Sequence, residues 1–256
     1  MSQDFGIKAG PNCNHQGCNN DTYCFHHGKR GKALIFNQSV FDDLPSRHGA
    51  KHDREKMESC FRYLNFDVVV YKECSAEEIC LYLDQESERD HVDEDCLVCI
   101  FMSHGSDGQI NARDNSIQIS TIMNYFNSRS CPSLEGKPKL LFVNACRGDR
   151  LDTGVDVVDA TNVEDIVEAV QMVIPTEEDF LLACSVVSGY ASARDFRKGS
   201  CFVSALGEAL QKHGKSMDLI KLLTIVNAKV ALEFERKGGT KQMPCVYSTL
   251  TKDVFL

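Results

Sequence analysis

The sequence lacks the features that mark several large classes of protein. Its 28 lysines and arginines are outnumbered by 37 aspartates and glutamates, which gives a formal net charge of -9 and no basic cluster to bind nucleic-acid phosphates. Its longest apolar runs, at 97–102 and 140–145, are far shorter than the roughly 20 residues of a membrane-spanning helix. The amino terminus has neither the basic start nor the apolar centre of a secretory signal. We therefore expect a cytoplasmic protein that binds neither nucleic acid nor membrane.

Two further absences narrow the choice of function. No glycine-rich phosphate loop follows the first predicted strand, which disfavours a nucleotide-binding α/β domain. The 13 cysteines do not suggest a disulfide framework, because their number is odd and several of them, such as Cys60, Cys96 and Cys184, lie among aliphatic residues. Because buried free thiols behave as small hydrophobic side chains, this usage favours a reducing compartment.

Apolar strand patterns alternate with helical periodicity along most of the chain. Six runs are typical of buried strands: 33–37, 66–71, 96–102, 140–145, 180–186 and 245–249. Helical spacing follows in the intervening segments: 52–64, 75–83, 119–126, 200–213 and 216–235. The Ser75 hydroxyl and the Glu78 carboxylate have the spacing of a capping box. The alternation predicts an α/β fold, in which a six-stranded, mostly parallel sheet carries helices on both faces.

Residues 1–30 show no periodicity and are rich in Asn, Gly, Cys and His, which predicts a flexible leader. The leader contains six side chains of the types that bind zinc: Cys13, His15, Cys18, Cys24, His26 and His27. Their spacing fits no zinc finger, so a thiol-rich tail without metal is the simpler interpretation and a zinc site the alternative. We predict no metal ion and no other cofactor.

A second segment without periodicity runs from 149 to 179. It holds ten acidic residues and one basic residue, Arg150. About thirty residues is long for a connection inside a compact domain, and such connections are usually functional or disordered. The segment includes Asp156-Val157-Val158-Asp159 followed by Ala160, a small residue. We expect an acidic surface loop that exposes these aspartates.

A cysteine and a histidine follow two of the predicted strands. Cys146 comes directly after the strand at 140–145, and His104 follows the strand at 96–102, 42 residues upstream. If the two strands are parallel neighbours, their carboxyl ends meet at the sheet edge where open α/β folds bind ligands. A thiol is a strong nucleophile only when it ionises, and a nearby imidazole can take its proton. The pattern predicts Cys146 as a nucleophile and His104 as its general base and acid.

The order of these motifs resembles the caspases, whose active-site signature is Gln-Ala-Cys-Arg/Gln-Gly. The corresponding residues here are Asn144-Ala145-Cys146-Arg147-Gly148. Four other stretches carry the resemblance, which extends over about residues 30 to 256: 30–37, 136–140, 175–181 and 242–245. The short leader is similar to that of executioner-type proenzymes without a death-fold adaptor domain.

The resemblance implies a three-layer, caspase-like sandwich made from one proenzyme chain. The implied parts are a short flexible prodomain (1–30), a large catalytic subunit (31–159) and a small catalytic subunit (160–256), which together form one caspase domain. Cleavage of the acidic loop would separate the two subunits and activate the enzyme. Asp159 is the first candidate for this cleavage, and Asp156 and Asp152 are the others.

The resemblance also implies roles for residues around the catalytic pair. The backbone N–H groups of Gly105 and Cys146 would stabilise the oxyanion, and the Pro45 carbonyl would orient His104. A pocket for the carboxylate of an aspartyl substrate needs permanently charged, planar donors, and the family pattern carries this role onto Arg47 and Arg194.

Two more positions complete the implied substrate-binding set. Ser192 lies two residues before Arg194, and Asn144 stands where the family has glutamine, one methylene longer. The chain also has no tryptophan, whereas caspase grooves usually present aromatic residues. Ala191, Ala193 and Cys201 stand at the corresponding places, so we expect a shallow groove with weak preference upstream of aspartate.

The implied activity is that of a cysteine endopeptidase that cleaves after aspartate in apoptosis or regulated proteolysis. Its implied partners are protein substrates with exposed aspartates, an upstream activating caspase and inhibitor proteins. The last strand would pair with its twin in a homodimer of large and small subunit pairs. The departures at Asn144 and in the groove support one alternative, a weakly active or inactive homologue that regulates an active caspase by dimerising with it.

Overall fold

The computed structural model describes residues 21–148, 150, 178–190, 192, 194–195, 199–234 and 240–256. The strands in this part of the chain are β1 (Lys32–Asn37), β2 (Asp67–Lys72), β3 (Leu97–Met102), β4 (Gly105–Ser106), β5 (Gln109–Asn111), β6 (Ser116–Gln118), β7 (Lys139–Asn144), β8 (Phe180–Cys184), β9 (Arg194–Asp195), β10 (Gly199–Ser200) and β11 (Cys245–Ser248). The α-helices are α1 (Ala50–Tyr63), α2 (Ala76–Ser87), α3 (Ile119–Asn124), α4 (Cys201–His213) and α5 (Leu219–Glu233). One 3₁₀ turn spans Pro132–Leu134.

The central sheet contains six strands in the order β11-β8-β7-β3-β1-β2. All neighbours are parallel except β11, which runs antiparallel to β8. The interior strands β3 and β7 are buried along their whole length because helices cover both faces of a parallel sheet. The predicted α/β fold with a six-stranded, mostly parallel sheet is confirmed.

Two hydrophobic cores lie on opposite faces of the sheet. Alternate residues of β1 divide between them: Ala33 and Ile35 enter the core with α1, α4 and α5, whereas Leu34 and Phe36 enter the core with α2 and α3. This division follows from the period of two along a strand. The molecule therefore has three layers, with the sheet in the middle.

The predicted capping box at the start of α2 is present. The backbone N–H of Glu78 donates to Ser75 Oγ at 3.1 Å, and the backbone N–H of Ser75 donates to Glu78 Oε2 at 2.7 Å. Two N–H groups that the first turn leaves without helical partners are thereby satisfied. The helix begins where the sequence predicts it.

A small sheet of β4, β5 and β6 lies between β3 and α3, and the sequence does not predict it. Its strands have two or three residues each, too short for a period-two pattern to be recognisable. This sheet begins one residue after His104. It therefore shapes the edge of the central sheet at which the predicted site lies.

The described part of the predicted leader, from residue 21 onward, lies against the hydrophobic core of the sheet. Tyr23 is 5% exposed and donates from its hydroxyl to Asp179 Oδ1 at 2.5 Å. The backbone of Thr22 forms an isolated parallel β-bridge with that of Asp253, and Lys29 forms a second one with Glu94. A single anchoring tyrosine has no periodicity, which is why the sequence pattern does not distinguish these residues from a flexible leader. Cys13, His15 and Cys18 of the possible zinc set lie outside the described residues.

No helix in the described part of the chain is both long enough and apolar enough to cross a membrane.

Candidate active site

The two strands that carry the predicted catalytic residues are parallel neighbours. β3 pairs with β7 in a register that places Met102 opposite Asn144, and the Ser103 N–H donates to the Asn144 carbonyl at 3.2 Å. His104 and Cys146 each lie two residues beyond the paired positions. Both therefore emerge at the carboxyl edge of the sheet, as the sequence predicts.

Gly105 brings the chain after His104 against the chain around Cys146. A Cβ atom at Gly105 would lie 3.1 Å from the Cys146 carbonyl oxygen and 3.1 Å from Ala145 Cβ. It would lie only 2.5 Å from the Gln109 carbonyl oxygen, a backbone atom that cannot move aside easily. Glycine is needed here because the Gln109 carbonyl leaves no room for a side chain, and the Cys146 segment is also in tight contact.

The hydrogen bond between His104 and the Pro45 carbonyl determines which ring nitrogen carries the hydrogen. The Nε2 atom of His104 lies 2.8 Å from the Pro45 carbonyl oxygen. A carbonyl oxygen only accepts, so Nε2 carries the hydrogen and the neutral ring has its lone pair at Nδ1. The Phe41 ring, with its centroid 4.8 Å from that of the imidazole, packs beside it. His104 is therefore oriented to act as a base through Nδ1.

Cys146 lies half-buried beside a loop that includes one of the predicted substrate-binding residues. Its Sγ atom is 3.8 Å from the Ser192 carbonyl oxygen. Ser185 Oγ lies within hydrogen-bonding distance of the Ala145 carbonyl oxygen, at 3.2 Å, and of Ser192 Oγ, at 2.9 Å, which ties this loop to the segment before Cys146. Ser192 is thus brought next to Cys146.

Arg47 is buried at the carboxyl end of β3. It is 2% exposed, and its Nη1 atom donates to the carbonyls of Gln38 at 2.5 Å and Met102 at 2.8 Å. These bonds hold the guanidinium against the carbonyl of Met102, which precedes His104 by two residues in the chain. A fixed, permanently charged group at this edge is suited to bind a carboxylate.

Asn144 ends β7, and its side chain is buried between α1 and β10. Ser200 Oγ donates to Asn144 Oδ1 at 2.9 Å, and Asn144 Nδ2 donates to Asp53 Oδ2 at 3.4 Å. The backbone N–H of Ser200 also donates to Asp53 Oδ1, at 2.7 Å. Gly199 has φ +84°, and a Cβ atom there would lie 2.3 Å from Asp53 Oδ1. Glycine therefore allows the carboxylate to reach the hairpin.

Arg194 lies on the short hairpin that this carboxylate supports. β9 pairs antiparallel with β10, and Arg194 is the partner of Ser200. The backbone of Arg194 therefore lies directly across the hairpin from Ser200, whose hydroxyl donates to Asn144. Asp152, Asp156 and Asp159, the predicted cleavage positions, lie outside the described residues.

Two charged residues at the site have structural roles that the sequence analysis did not identify. One is Asp53. The other is Arg147, which is 1% exposed and bridges three segments. Its Nη2 atom donates to Asp107 Oδ1 at 3.1 Å, and its Nη1 atom donates to the Tyr247 hydroxyl at 3.2 Å. Asp107 also accepts from Ser188 Oγ at 2.5 Å. The sequence offered one signal for each residue. Arg147 is a charged residue just after an apolar strand, and Asp53 lies on the buried face of α1.

A separate buried cluster of Glu86, His91 and Glu94 has the residue types of a metal site. Its oxygen and nitrogen atoms are already used: His91 Nδ1 lies 2.8 Å from Glu94 Oε2, and Nε2 lies 2.9 Å from the Glu86 carbonyl. Arg89 forms ion pairs with both glutamates. Burial opposes ionisation of His91, but hydrogen bonds to Cys131, Glu94 and the Glu86 carbonyl outweigh it and raise its pKa to about 9. The cluster is an internal ion network with its own cations.

Comparison with known proteins agrees with this geometry. The sequence profile of the caspase domain of peptidase family C14 matches residues 30–255. Caspase-1 of Drosophila melanogaster is 39% identical over 239 residues, which cover 90% of this chain and 74% of that protein. Caspase-6 of Rattus norvegicus is 38% identical over 250 residues, covering 91% of this chain and 90% of that protein. The crystal structure of caspase-1 from Spodoptera frugiperda superposes with a TM-score of 0.84 at 37% identity, covering 94% of each chain.

A thiol and an oriented imidazole at one sheet edge, a profile match over nearly the whole chain and relatives near 38% identity lead to one conclusion. The chain belongs to the caspase family, the cysteine-type endopeptidases of peptidase family C14.

Proposed function

We propose that this caspase-family protein is an active endopeptidase that cleaves after aspartate and is made as a zymogen. The observation that carries the proposal is the hydrogen bond between His104 Nε2 and the Pro45 carbonyl, at 2.8 Å. It leaves Nδ1 as the basic atom of a ring that lies at the same sheet edge as Cys146. An inactive relative has no need to keep the base, the nucleophile and this orienting carbonyl together.

The proposed reaction begins when Cys146 Sγ passes its proton to His104 Nδ1 and attacks the substrate carbonyl carbon. The resulting oxyanion accepts hydrogen bonds from the backbone N–H groups of Gly105 and Cys146. The imidazolium then donates its proton to the leaving amine, and a water molecule activated by the same imidazole hydrolyses the thioester. The close approach of Gly105 to the Cys146 segment supports the paired N–H donors.

Selectivity for aspartate is assigned to Arg47, Arg194, Ser192 and Asn144. The buried, doubly anchored guanidinium of Arg47 supports this role, because its position costs little further ordering when a carboxylate binds. Asn144 is assigned an indirect part. Its amide already bonds to Asp53 and Ser200, so it supports the hairpin of Arg194 and contacts the substrate carboxylate only through water.

Activation is assigned to cleavage after Asp159, with Asp156 and Asp152 as the other candidate positions. An upstream caspase would perform it, and inhibitor proteins would oppose the mature enzyme. The dimer is assigned to β11, which lies at the end of the described strand order and pairs there with β8 alone. An edge strand offers backbone groups for pairing with a second copy. The setting is the cytoplasm and the process apoptosis or other regulated proteolysis.

The test compares peptides that differ only in having aspartate or asparagine before the scissile bond. Chain cut at Asp159 is incubated with both, alongside the Cys146→Ala variant cut in the same way. We expect cleavage of the aspartyl peptide alone, and only by the chain that has Cys146. Equal turnover by wild type and Cys146→Ala would instead favour the homologue that acts by dimerising with an active caspase, which the occupied side chain of Asn144 supports.

Aspartate selectivity is tested separately by Arg194→Glu. We expect this variant to lose turnover of the aspartyl peptide while Cys146 still reacts with a small alkylating reagent. Unchanged peptide turnover would contradict the pocket assignment but leave the catalytic pair in place.

A further inference from the structure

Cys184 and Cys245 face each other across two antiparallel strands. The register of β8 and β11 pairs them directly, so their side chains lie on the same face of the sheet. Directly opposed residues in antiparallel strands have Cα atoms about 4.5 to 5.5 Å apart, which lies within the range of about 4.4 to 6.8 Å that a disulfide spans. Both thiols are free.

The two thiols differ in their surroundings. Cys184 is fully buried in the core between the sheet and helices α2 and α3, whereas Cys245 is only partly buried. Arg147 Nη1 donates to Cys245 Sγ at 3.3 Å, so a permanent positive charge lies against this sulfur. A partly exposed thiol beside a cation, with a second thiol facing it, is the arrangement found at peroxide-reactive cysteines.

The ionisation of the pair agrees with this difference. The hydrogen bond from Cys184 and the charge of Arg147 lower the pKa of Cys245 against the opposing effect of burial. The same hydrogen bond, together with burial, raises the pKa of Cys184. Cys245 is therefore the thiol of the pair that ionises more readily, although its protonated form donates to the Val186 carbonyl at 3.4 Å.

We propose that Cys245 and Cys184 form a redox site at which a hydroperoxide produces an internal disulfide. The Cys245 thiolate attacks one oxygen of the hydroperoxide, the O–O bond breaks, and hydroxide or alkoxide leaves while the sulfur becomes a sulfenic acid. The Cys184 sulfur then attacks the sulfenic sulfur, the S–O bond breaks, and the departing hydroxide takes the Cys184 proton as water. Two thiols are oxidised, the peroxide is reduced, and the chain loses two hydrogens.

This site is separate from the catalytic thiol but is connected to it by one residue. Arg147 follows Cys146 directly and bonds to Cys245 Sγ, Tyr247 and Asp107. Disulfide formation removes the negative charge that Arg147 faces at Cys245. Oxidation of the pair therefore changes the electrostatic surroundings of Arg147, whose backbone adjoins that of Cys146.

The experiment uses the full chain with Cys146→Ala, so that the catalytic thiol does not react. The protein is treated with hydrogen peroxide, its remaining thiols are alkylated, and its peptides are mapped without reduction. We expect a Cys184–Cys245 cross-linked peptide pair with a mass about 2 Da below the sum of the reduced peptides, and its loss when a phosphine reductant is added. Recovery of both cysteines as alkylated thiols, or a link from Cys245 to another cysteine, would overturn the proposal.

Two further variants in the same background separate the roles of the two sulfurs, and a third serves as the control. With Cys184→Ala, Cys245 should stop at the sulfenic acid and be trapped by dimedone. With Cys245→Ser, Cys184 should remain a thiol because the peroxide does not reach it. The matched control is Cys201→Ser, since Cys201 is also partly buried but burial raises its pKa, and the cross-link should form unchanged. If Cys184→Ala does not fold, the peptide map of the parent alone decides. Because no step uses catalysis, failure here is distinct from failure of the proposed peptidase activity.

Discussion

Ser200 Oγ lies 2.9 Å from Asn144 Oδ1, and this hydrogen bond joins the hairpin of Arg194 to β7, the strand after which Cys146 follows. Asp53 accepts hydrogen bonds from both residues and is itself 2% exposed. One buried carboxylate on helix α1 therefore supports two parts of the proposed substrate pocket. The arrangement makes Asp53 a positioning residue whose effect reaches the substrate through Asn144 and Arg194.

Asp53→Asn should weaken binding of the aspartyl peptide more than it slows the chemical step. The substitution removes an acceptor from the Ser200 N–H or the Asn144 amide, and an unsatisfied buried donor costs about 1 to 3 kcal/mol. We expect KM to rise about tenfold or more, with a smaller change in kcat, in steady-state kinetics of the cleaved enzyme. Glu55→Gln, an exposed carboxylate on the same helix, is the control and should leave KM unchanged. An unchanged KM in Asp53→Asn would show that the hairpin is held by other contacts.

Arg147→Met should destabilise the fold as well as the active edge. The variant leaves the partly buried Tyr247 hydroxyl and the Cys245 sulfur without their cationic donor. It also removes the bond from Arg147 to Asp107, in the loop after His104, which then keeps its bond from Ser188. Hydrogen bonds to charged groups contribute about 1.5 to 3 kcal/mol, so the free energy of unfolding should fall by about 2 to 3 kcal/mol. Urea denaturation of the Cys146→Ala chain measures this without self-cleavage. Arg129→Met, at an exposed position, should change the unfolding free energy by less than about 0.5 kcal/mol. Equal effects of the two substitutions would contradict the bridging role.

Stability should decline in mildly alkaline solution because of His91. Its pKa is about 9 in the folded chain and 6.5 ordinarily, so protonation stabilises the fold. This contribution is complete below about pH 6.5 and is lost as the pH rises through about 9. The groups that face it are Glu94, Cys131, Arg89 and Lys137.

The measurement is the free energy of unfolding of wild type and His91→Gln across pH 6 to 10. We expect the advantage of wild type to shrink by about 3 kcal/mol over this interval, since each pKa unit corresponds to about 1.4 kcal/mol. Comparing the two proteins at each pH removes the titration of the cysteines and tyrosines they share. An advantage that stays constant with pH would mean that folding does not raise the pKa of His91.

The centre of the sheet was predictable because its interior strands are covered on both faces, which produces continuous apolar runs such as Leu97–Met102. The positions of His104 and Cys146 followed from the same runs, since each residue comes two residues after the end of a strand. The contacts of Asp53 and Arg147 were not predictable. Asp53 and Asn144 are 91 residues apart in the chain, and Arg147 and Tyr247 are 100 apart, whereas periodicity reports only on near neighbours.

The anchoring of Tyr23 illustrates the same limit in a different way. Its partner Asp179 is 156 residues away, so nothing in residues 21–30 themselves indicates that they belong to the core. The small β4–β5–β6 sheet was missed for a simpler reason, which is that strands of two or three residues carry no readable alternation. Both features lie outside the range at which sequence patterns are informative.

The central claim is that Cys146 and His104 act as one catalytic unit, and a double-mutant cycle tests it most directly. The rate of aspartyl-peptide cleavage is measured for the cleaved wild type, His104→Ala, Cys146→Ala and the double variant. We expect each single substitution to lower kcat by about 10³-fold or more, and the double variant to be no slower than the slower single one. Substantial activity in either single variant, or losses that simply multiply in the double variant, would contradict the account.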